Sequence, residues 1–228
     1  MRLGVLVSGS GSNLQAIVDR VQAGHLPGVS IALVLANAPG AYGLVRATKA
    51  GVATACVDHR EFSSRQDFDA ELVRRLVDAG VDTVALAGFM RILTPVFLEA
   101  FAGRVLNIHP AILPAFPGVH AQGQQADYGV RLAGCTVHFV DEHMDHGPII
   151  IQAAVPATPQ DTPQSLGERI LALEHRIYPQ ALAWLASGRI TVRGRQVEVA
   201  GADYAGGGRY WTVPTLEPPF DADWAAAS

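Results

Sequence analysis

The chain has 228 residues, 49% hydrophobic and 17% charged, enough for one substantial core or one core with a small appendage. A formal net charge of −4 has the wrong sign, and too small a size, for a protein that grips phosphate backbones over a broad face, so nucleic acid is not expected as a partner. No apolar run approaches the ~20 residues of a membrane span, and the first strand is expected almost at once, at residues 3–7, so no signal peptide is expected and the cytoplasm is the expected compartment.

Short apolar runs at residues 3–7, 31–36, 53–57, 83–87 and 105–108 read as buried strands, and the stretches between them as crossover helices. The clearest helix is expected over residues 65–79, with Phe68, Leu72 and Leu76 on one stripe and a capping box from Ser63 to Gln66. This alternation predicts an α/β fold with a doubly wound, mostly parallel sheet. Cys56 and Cys135 each lie in a strand-like run and read as buried small hydrophobes, without a disulfide framework.

After residue 110 the pattern changes, because Pro110, Pro114, Pro117 and Gly118 require a long loop that is neither helix nor central strand. Residues 135–140 and 149–155 read as two further, partly antiparallel strands around a polar turn, Asp141 to Pro148. A long helix is expected over residues 163–185, with Thr162 as N-cap, Pro163 at the first position, and Leu166, Ile170, Leu173 and Ile177 on one face. Pro179 should kink it. Beyond Gly188 a short hairpin and an irregular Gly- and Pro-rich tail are expected, which suggests a main domain of residues 1–188 and a tail of 189–228.

Two features carry chemistry. Ser8-Gly9-Ser10-Gly11-Ser12-Asn13 follows the first strand and opens a helix, where backbone N–H groups and hydroxyls converge on a place that favours an anion. The loop suits a single phosphate: Leu14 stands where a dinucleotide fingerprint needs its third glycine, and the lysine of a nucleoside-triphosphate loop is missing. Taken alone, the same glycines need do no more than permit a tight turn, with Ser12 or Asn13 capping the helix.

The second feature is Asn107 and His109, which alternation places on one face at the carboxyl end of the fifth strand, where open α/β sheets build ligand crevices. Acyl transfer between nitrogens needs an oxyanion stabiliser, for which Asn107 is a candidate, and a proton carrier near neutral pH, for which His109 is one. Asp145, if it meets them, would favour the imidazolium and orient its ring. His138, His143 and His146 lie with Asp141 and Asp145 within nine residues, but their spacing matches no recognised zinc template, so no metal is expected. No serine or cysteine stands in a nucleophile elbow.

Residues 9–15 (Gly-Ser-Gly-Ser-Asn-Leu-Gln), 86–93 (Leu-Ala-Gly-Phe-Met-Arg-Ile-Leu), Asn107-Ile108-His109-Pro110, and Asp145 before Gly147-Pro148 together resemble the phosphoribosylglycinamide formyltransferase family over about residues 1–188. The resemblance implies a Rossmann-like formyltransferase fold and transfer of a formyl group from 10-formyltetrahydrofolate to the glycinamide amine of phosphoribosylglycinamide, without metal. It further implies Asn107, His109 and Asp145 as catalytic residues, and Gly11, Ser12, Asn13, Asn107 and Glu174 as contacts to the ribotide. Arg65, Met90, Arg91, Ile92, Leu93 and Asn107, with the backbone of the turn from Val140 and Asp141 to Asp145, would hold the folate. His146 follows the aspartate where relatives often carry glycine or another small residue, and residues 122–125 also depart from the family pattern.

A formyltetrahydrofolate hydrolase shares the constellation but usually carries an extra N-terminal domain, and a transfer-RNA formyltransferase needs a basic C-terminal barrel; neither is expected here. A sugar-nucleotide formyltransferase fits the single-phosphate loop less well. A non-catalytic ribotide sensor would have no use for Asn107, His109 and Asp145. Small molecules are therefore the expected partners, and exposed apolar residues at a sheet edge would support a homodimer.

Overall fold

Leu3, Val5, Leu6 and Val7 are all fully buried in β1 (Arg2–Val7), so this strand is covered on both faces, as a parallel strand flanked by helices must be. The computed structural model describes residues 1–205 and 211–221, and it divides into two units. The first comprises Met1–Asn107 with Phe139–Gly147, the second Ile108–His138 with the described residues from Pro148 onward.

In the first unit β1, β2 (Ser30–Ala36), β3 (Thr54–Cys56), β4 (Thr83–Leu86) and the part of β5 (Val105–His109) up to Asn107 pair in parallel in the order β5-β4-β1-β2-β3. The connections are α1 (Ser12–Gln22), α2 (Tyr42–Lys49), α3 (Arg65–Asp78) and α4 (Pro95–Ala100), giving the doubly wound pattern expected. Leu6, Leu35, Phe68, Leu72, Leu76, Val84 and Phe97 form much of the core between sheet and helices. Each such side chain contributes roughly 1.5–3 kcal/mol of transfer free energy when fully buried. Because the chain begins at a central strand and builds outward first on one side and then on the other, the winding reverses between β1 and β4. Loops leaving the carboxyl ends of those strands diverge there and leave a crevice.

Two local expectations are corrected in this unit. The cap of α3 is Ser64, whose Oγ accepts from Asp67 N at 3.1 Å, while Ser63 Oγ donates to the Asp67 carboxylate at 2.9 Å. Cys56 is half-buried because β3 is the edge strand, so only Cys135 is a core thiol.

In the second unit β6 (Leu132–Phe139) and β7 (Ile149–Pro156) are antiparallel, as expected, and α6 (Pro163–Ala186) packs on β7. A reciprocal capping box joins Thr162 and Ser165 at the start of α6, Pro163 occupies its first turn, and Leu166, Ile170, Leu173 and Ile177 are buried along it. The helix continues through Pro179 as one element, held by a neighbourhood in which Ile177 to Leu182 are all buried. The hairpin is β8 (Ile190–Arg193) with β9 (Gln196–Val199).

The irregular tail is a partial misreading: β10 (Trp211–Val213) pairs antiparallel with β7, while Gly206 to Gly208 lie outside the described residues. A helix not anticipated at all, α5 (Ala121–Tyr128), follows the proline-rich loop. It has no apolar stripe. Its buried Gln125 donates to Pro110 O at 2.7 Å and Ala121 O at 3.0 Å and accepts from Gly134 N at 3.2 Å, so polar bonds do what an apolar face does elsewhere.

Candidate active site

The glycine loop leaves β1 at the winding reversal. Gly11 is the residue before α1 and has φ 69°, a left-handed conformation, and a Cβ there would lie 2.6 Å from the Gly43 Cα. Only glycine fits, and the contact lets α2 brace the loop: Gly43 N donates to Gly9 O at 3.0 Å and Arg46 Nε to Ser10 O at 2.8 Å. Gly11 at the N-cap offers no side chain to cap the first turn of α1 and no acidic residue lies in that turn, so the positive end of the helix faces the loop without a carboxylate of its own. Arg46, which also stacks over Tyr42 at 5.1 Å, adds a cation that the sequence reading missed; nothing local to residue 46 announces its reach back to residue 10.

The segment after β4 is fastened to the same loop. Ser8 N donates to Gly88 O at 3.0 Å, and Met90 N donates to Ser8 Oγ at 2.8 Å. Farther along, Thr94 N donates to Asp69 Oδ2 at 2.6 Å. Asp69 is fully buried, and burial pushes its carboxyl above the usual range of 3.8, opposed by the Thr94 bonds and by the charges of Arg91 and Arg65. Between these ties Phe89 and Leu93 turn into the core, while Met90 and Ile92 stay exposed beside the guanidinium of Arg91, which lies over the Phe68 ring at 5.4 Å. The four expected wall residues therefore divide: Leu93 packs inward, and Met90, Arg91 and Ile92 line the outside. Arg65, the exposed first residue of α3, carries the second cation acting on Asp69.

At the end of β5, Asn107 is half-buried and its Nδ2 lies 3.5 Å from Asp145 Oδ1, so two residues 38 positions apart are brought together, with Asn107 as the partner of Asp145 where the sequence pointed to His109. The 139–147 segment reaches them because Val140 N donates to Val105 O at 2.9 Å and because Gly147 closes on Phe139 so tightly that a Cβ would overlap the Phe139 carbonyl. Asp145 has φ 51°, a left-handed conformation that costs an L-residue roughly 1–2 kcal/mol. Strain of this kind persists where the surroundings hold a functional side chain in place. Asp141, in the same turn, accepts from His143 N at 2.9 Å and lies 3.1 Å from His146 Nδ1. Burial acts to raise the Asp141 carboxyl, but those bonds and the two imidazoles outweigh it and hold it below 3.8.

His109, two residues beyond Asn107 on β5, is buried, and its Nε2 lies 2.8 Å from the Phe116 carbonyl. A carbonyl only accepts, so Nε2 carries the proton of that bond and Nδ1 is the remaining ring nitrogen. The ring is thus oriented by Phe116, a backbone partner the sequence reading did not single out; Phe116 has φ 53° and its ring packs edge-on to Tyr128 at 5.7 Å. Glu174 on α6 is buried, whereas a solvated helix face would be the ordinary fate of a glutamate in that position. His138 is a buried residue of β6 and lies outside the Asp141, His143 and His146 group.

A family model described as formyl transferase matches residues 1–182. The chain is 43% identical over 190 residues to phosphoribosylglycinamide formyltransferase of Escherichia coli (strain K12), covering 83% of this chain and 89% of that one. It is 49% identical over 189 residues to the trifunctional purine biosynthetic protein adenosine-3 of Drosophila melanogaster, a match covering 82% of this chain that spans 14% of that protein's length. Among solved structures, glycinamide ribonucleotide transformylase 1 from Symbiobacterium toebii superposes with a TM-score of 0.86 at 52% identity, covering 87% of this chain and 93% of that one.

Proposed function

The chain belongs to the formyl transferase family, and from that premise we propose that it transfers a formyl group from 10-formyltetrahydrofolate to the glycinamide amine of phosphoribosylglycinamide in purine biosynthesis. What supports this reading above all is the 3.5 Å approach of Asn107 Nδ2 to Asp145 Oδ1 at the end of β5, in the unit whose winding reverses beside a glycine loop suited to one phosphate. Gly11, Ser12 and Asn13 hold the substrate phosphate with backbone N–H groups at the start of α1, and Arg46 keeps the loop in register and adds positive charge. Glu174 is a second contact assigned to the ribotide.

Met90 and Ile92 expose apolar side chains on either side of the Arg91 guanidinium, a combination that fits a flat heterocycle with polar edges, so Arg65, Met90, Arg91, Ile92 and Leu93 are assigned to the formyl donor. Leu93 acts from beneath by fixing the segment. Backbone groups of Val140, Asp141 and Asp145 take the ring edge, and Asn107 touches both substrates. The residues present thus fit a folate, and none is required to hold a metal for this reaction.

In the transfer the acceptor amine attacks the formyl carbon, a new C–N bond forms, and the carbonyl electron pair moves onto oxygen. Asn107 donates an N–H to that oxyanion and protonated His109 a second, while Asp145 holds the pair of groups in a polar, charge-matched setting. The proton lost by the attacking amine passes to the departing nitrogen of the donor as the old C–N bond breaks. Removal of one oxyanion donor costs about 10²–10³ in kcat, and removal of a general acid about 10²–10⁴.

The test is a spectrophotometric assay for deformylation with and without the ribotide. Turnover dependent on the ribotide, abolished in His109→Ala and shifted chiefly in KM for the formyl donor in Arg65→Ala, is expected. Deformylation without acceptor would instead identify a hydrolase, and near-normal turnover in His109→Ala would overturn the mechanism. Residues 1–188 are assigned as the catalytic domain. Among the described residues no helix is long and apolar enough to cross a membrane, in keeping with the cytoplasmic placement assigned here. Exposed Trp211 and Val213 on β10 favour a homodimer, which light scattering would detect as a doubled mass.

A further inference from the structure

The formyl transfer proposed above uses the backbone of the 139–147 turn and the Asp145 carboxylate, and leaves three donor side chains of that turn without a task. One ligand atom from each of Asp141, His143 and His146 lies within 4.8 Å of the other two. Asp141 Oδ1 accepts from the His143 backbone, which directs Oδ2 to His146 Nδ1 at 3.1 Å, and the two imidazole centroids are 5.2 Å apart. Two donors bound to one zinc ion at 2.0–2.1 Å stand about 3.3 Å apart in a tetrahedral arrangement, so the aspartate–histidine pair is already at ligand spacing. His143 and His146 are exposed and Asp141 is half-buried, so the third donor closes in by rotation of a surface side chain. The ends of the turn are fixed by the Val140 bond to Val105 and by the closure of Gly147 on Phe139, which limits the entropy lost when the donors converge.

We propose that Asp141, His143 and His146 form a binding site for a divalent first-row transition metal ion of the zinc type, accessory to the transfer chemistry. Two imidazoles and one carboxylate are a borderline donor set that suits zinc, cobalt or nickel and not magnesium or calcium, and water completes the coordination. Binding replaces the hydrogen bond between His146 and Asp141 by metal–ligand bonds to both, and any proton on the two imidazole donor atoms is released to solvent. The ligands bracket Asp145 in sequence, so the ion cross-links the turn that carries it.

The experiment is a titration of tag-free, chelator-treated, full-length protein with Co²⁺, followed by visible ligand-field absorption, and then back-titration with Zn²⁺. One equivalent of cobalt absorption, bleached by zinc, is expected in the parent protein. In His143→Ala and in His146→Ala the affinity should fall by at least ~10–100-fold, the loss that even an outer-shell change produces at a metal site. Far-UV circular dichroism checks that the surface substitutions leave the fold intact, and the corresponding asparagine variant replaces any alanine variant that fails this check. No cobalt absorption in the parent, or affinity retained in either histidine variant, overturns the site. Because the readout is binding, it is independent of whether the chain proves to be a formyl transferase or a hydrolase.

Discussion

Two segments of the first unit carry assigned functional residues and are held in opposite ways. The glycine loop at residues 8–13 is fastened along its length: Gly9 and Ser10 accept bonds from α2, Ser8 bonds to Gly88 and Met90, and Gly11 touches Gly43 with no room for a side chain. The 139–147 turn is fastened at its ends, by Val140 and Gly147, and between them by side-chain bonds, Asp141 with His143 and His146 and Asp145 with Asn107, while Asp145 sits in a left-handed conformation. A cradle for a fixed-charge group such as phosphate profits from rigid backbone donors, since preorganisation removes an entropic cost of binding. A carboxylate that must serve a reaction profits from a setting that is held but adjustable.

Substitutions can break or sharpen this contrast. The largest effect is expected at Asp145→Asn. Asparagine tolerates the left-handed conformation and keeps the shape, so the unfolding free energy should stay within about 0.5 kcal/mol of the parent. Turnover should nevertheless fall by about 10²–10⁴ through loss of the charge alone. A large drop in stability with retained kcat would reverse the roles assigned to the turn.

At Gly11→Ala the order of effects is inverted. The added methyl meets the Gly43 backbone at a φ of 69°, so denaturant unfolding should show a loss of about 1–3 kcal/mol together with a raised KM for the ribotide. An unchanged unfolding midpoint would mean that the loop is not braced as described.

Asp69 tests the neighbouring segment through pH. Its folded-state value is raised above 3.8, so the folded chain binds this proton more tightly than the unfolded chain. The stabilising contribution is full below 3.8 and is lost as pH rises through the folded value, leaving at neutral pH the cost of a buried charge. Asp69→Asn should flatten this part of the stability profile, whereas Asp69→Ala, which leaves the buried Thr94 N–H without its acceptor, should cost about 1–3 kcal/mol at neutral pH. A steeper profile in the asparagine variant would contradict the sign. The smallest effect is expected at Ser64→Ala, about 1 kcal/mol in unfolding free energy from a lost helix cap, with no change in kcat.

Much of this molecule was legible from local pattern. The strands β1 to β5 are short apolar runs because both faces are buried, and α6 announces itself by Thr162, Pro163 and a stripe from Leu166 to Ile177. The glycine loop is equally local, since a left-handed φ at Gly11 is a demand on one residue. The helix α5 was not legible because its burial rests on Gln125 and hydrogen bonds to Pro110 and Gly134, which leave no periodic apolar signal. The strand β10 escaped for a related reason: three residues define it only by pairing with β7.

For the site, the sequence by itself determined which residue types are present and that Asn107 and His109 share one side of β5, because alternation along a strand is a property of the backbone. Only the tertiary structure decided that Asn107 approaches Asp145, that Asp69 holds Thr94, that Arg46 braces Ser10, and that Asp141 and His146 stand 3.1 Å apart. The first three contacts join residues 25 to 38 positions apart, and their distances are set by where the strand order delivers the ends of β1, β4 and β5. The last is set by how tightly Gly147 lets the turn close on Phe139, a packing constraint that no spacing rule contains.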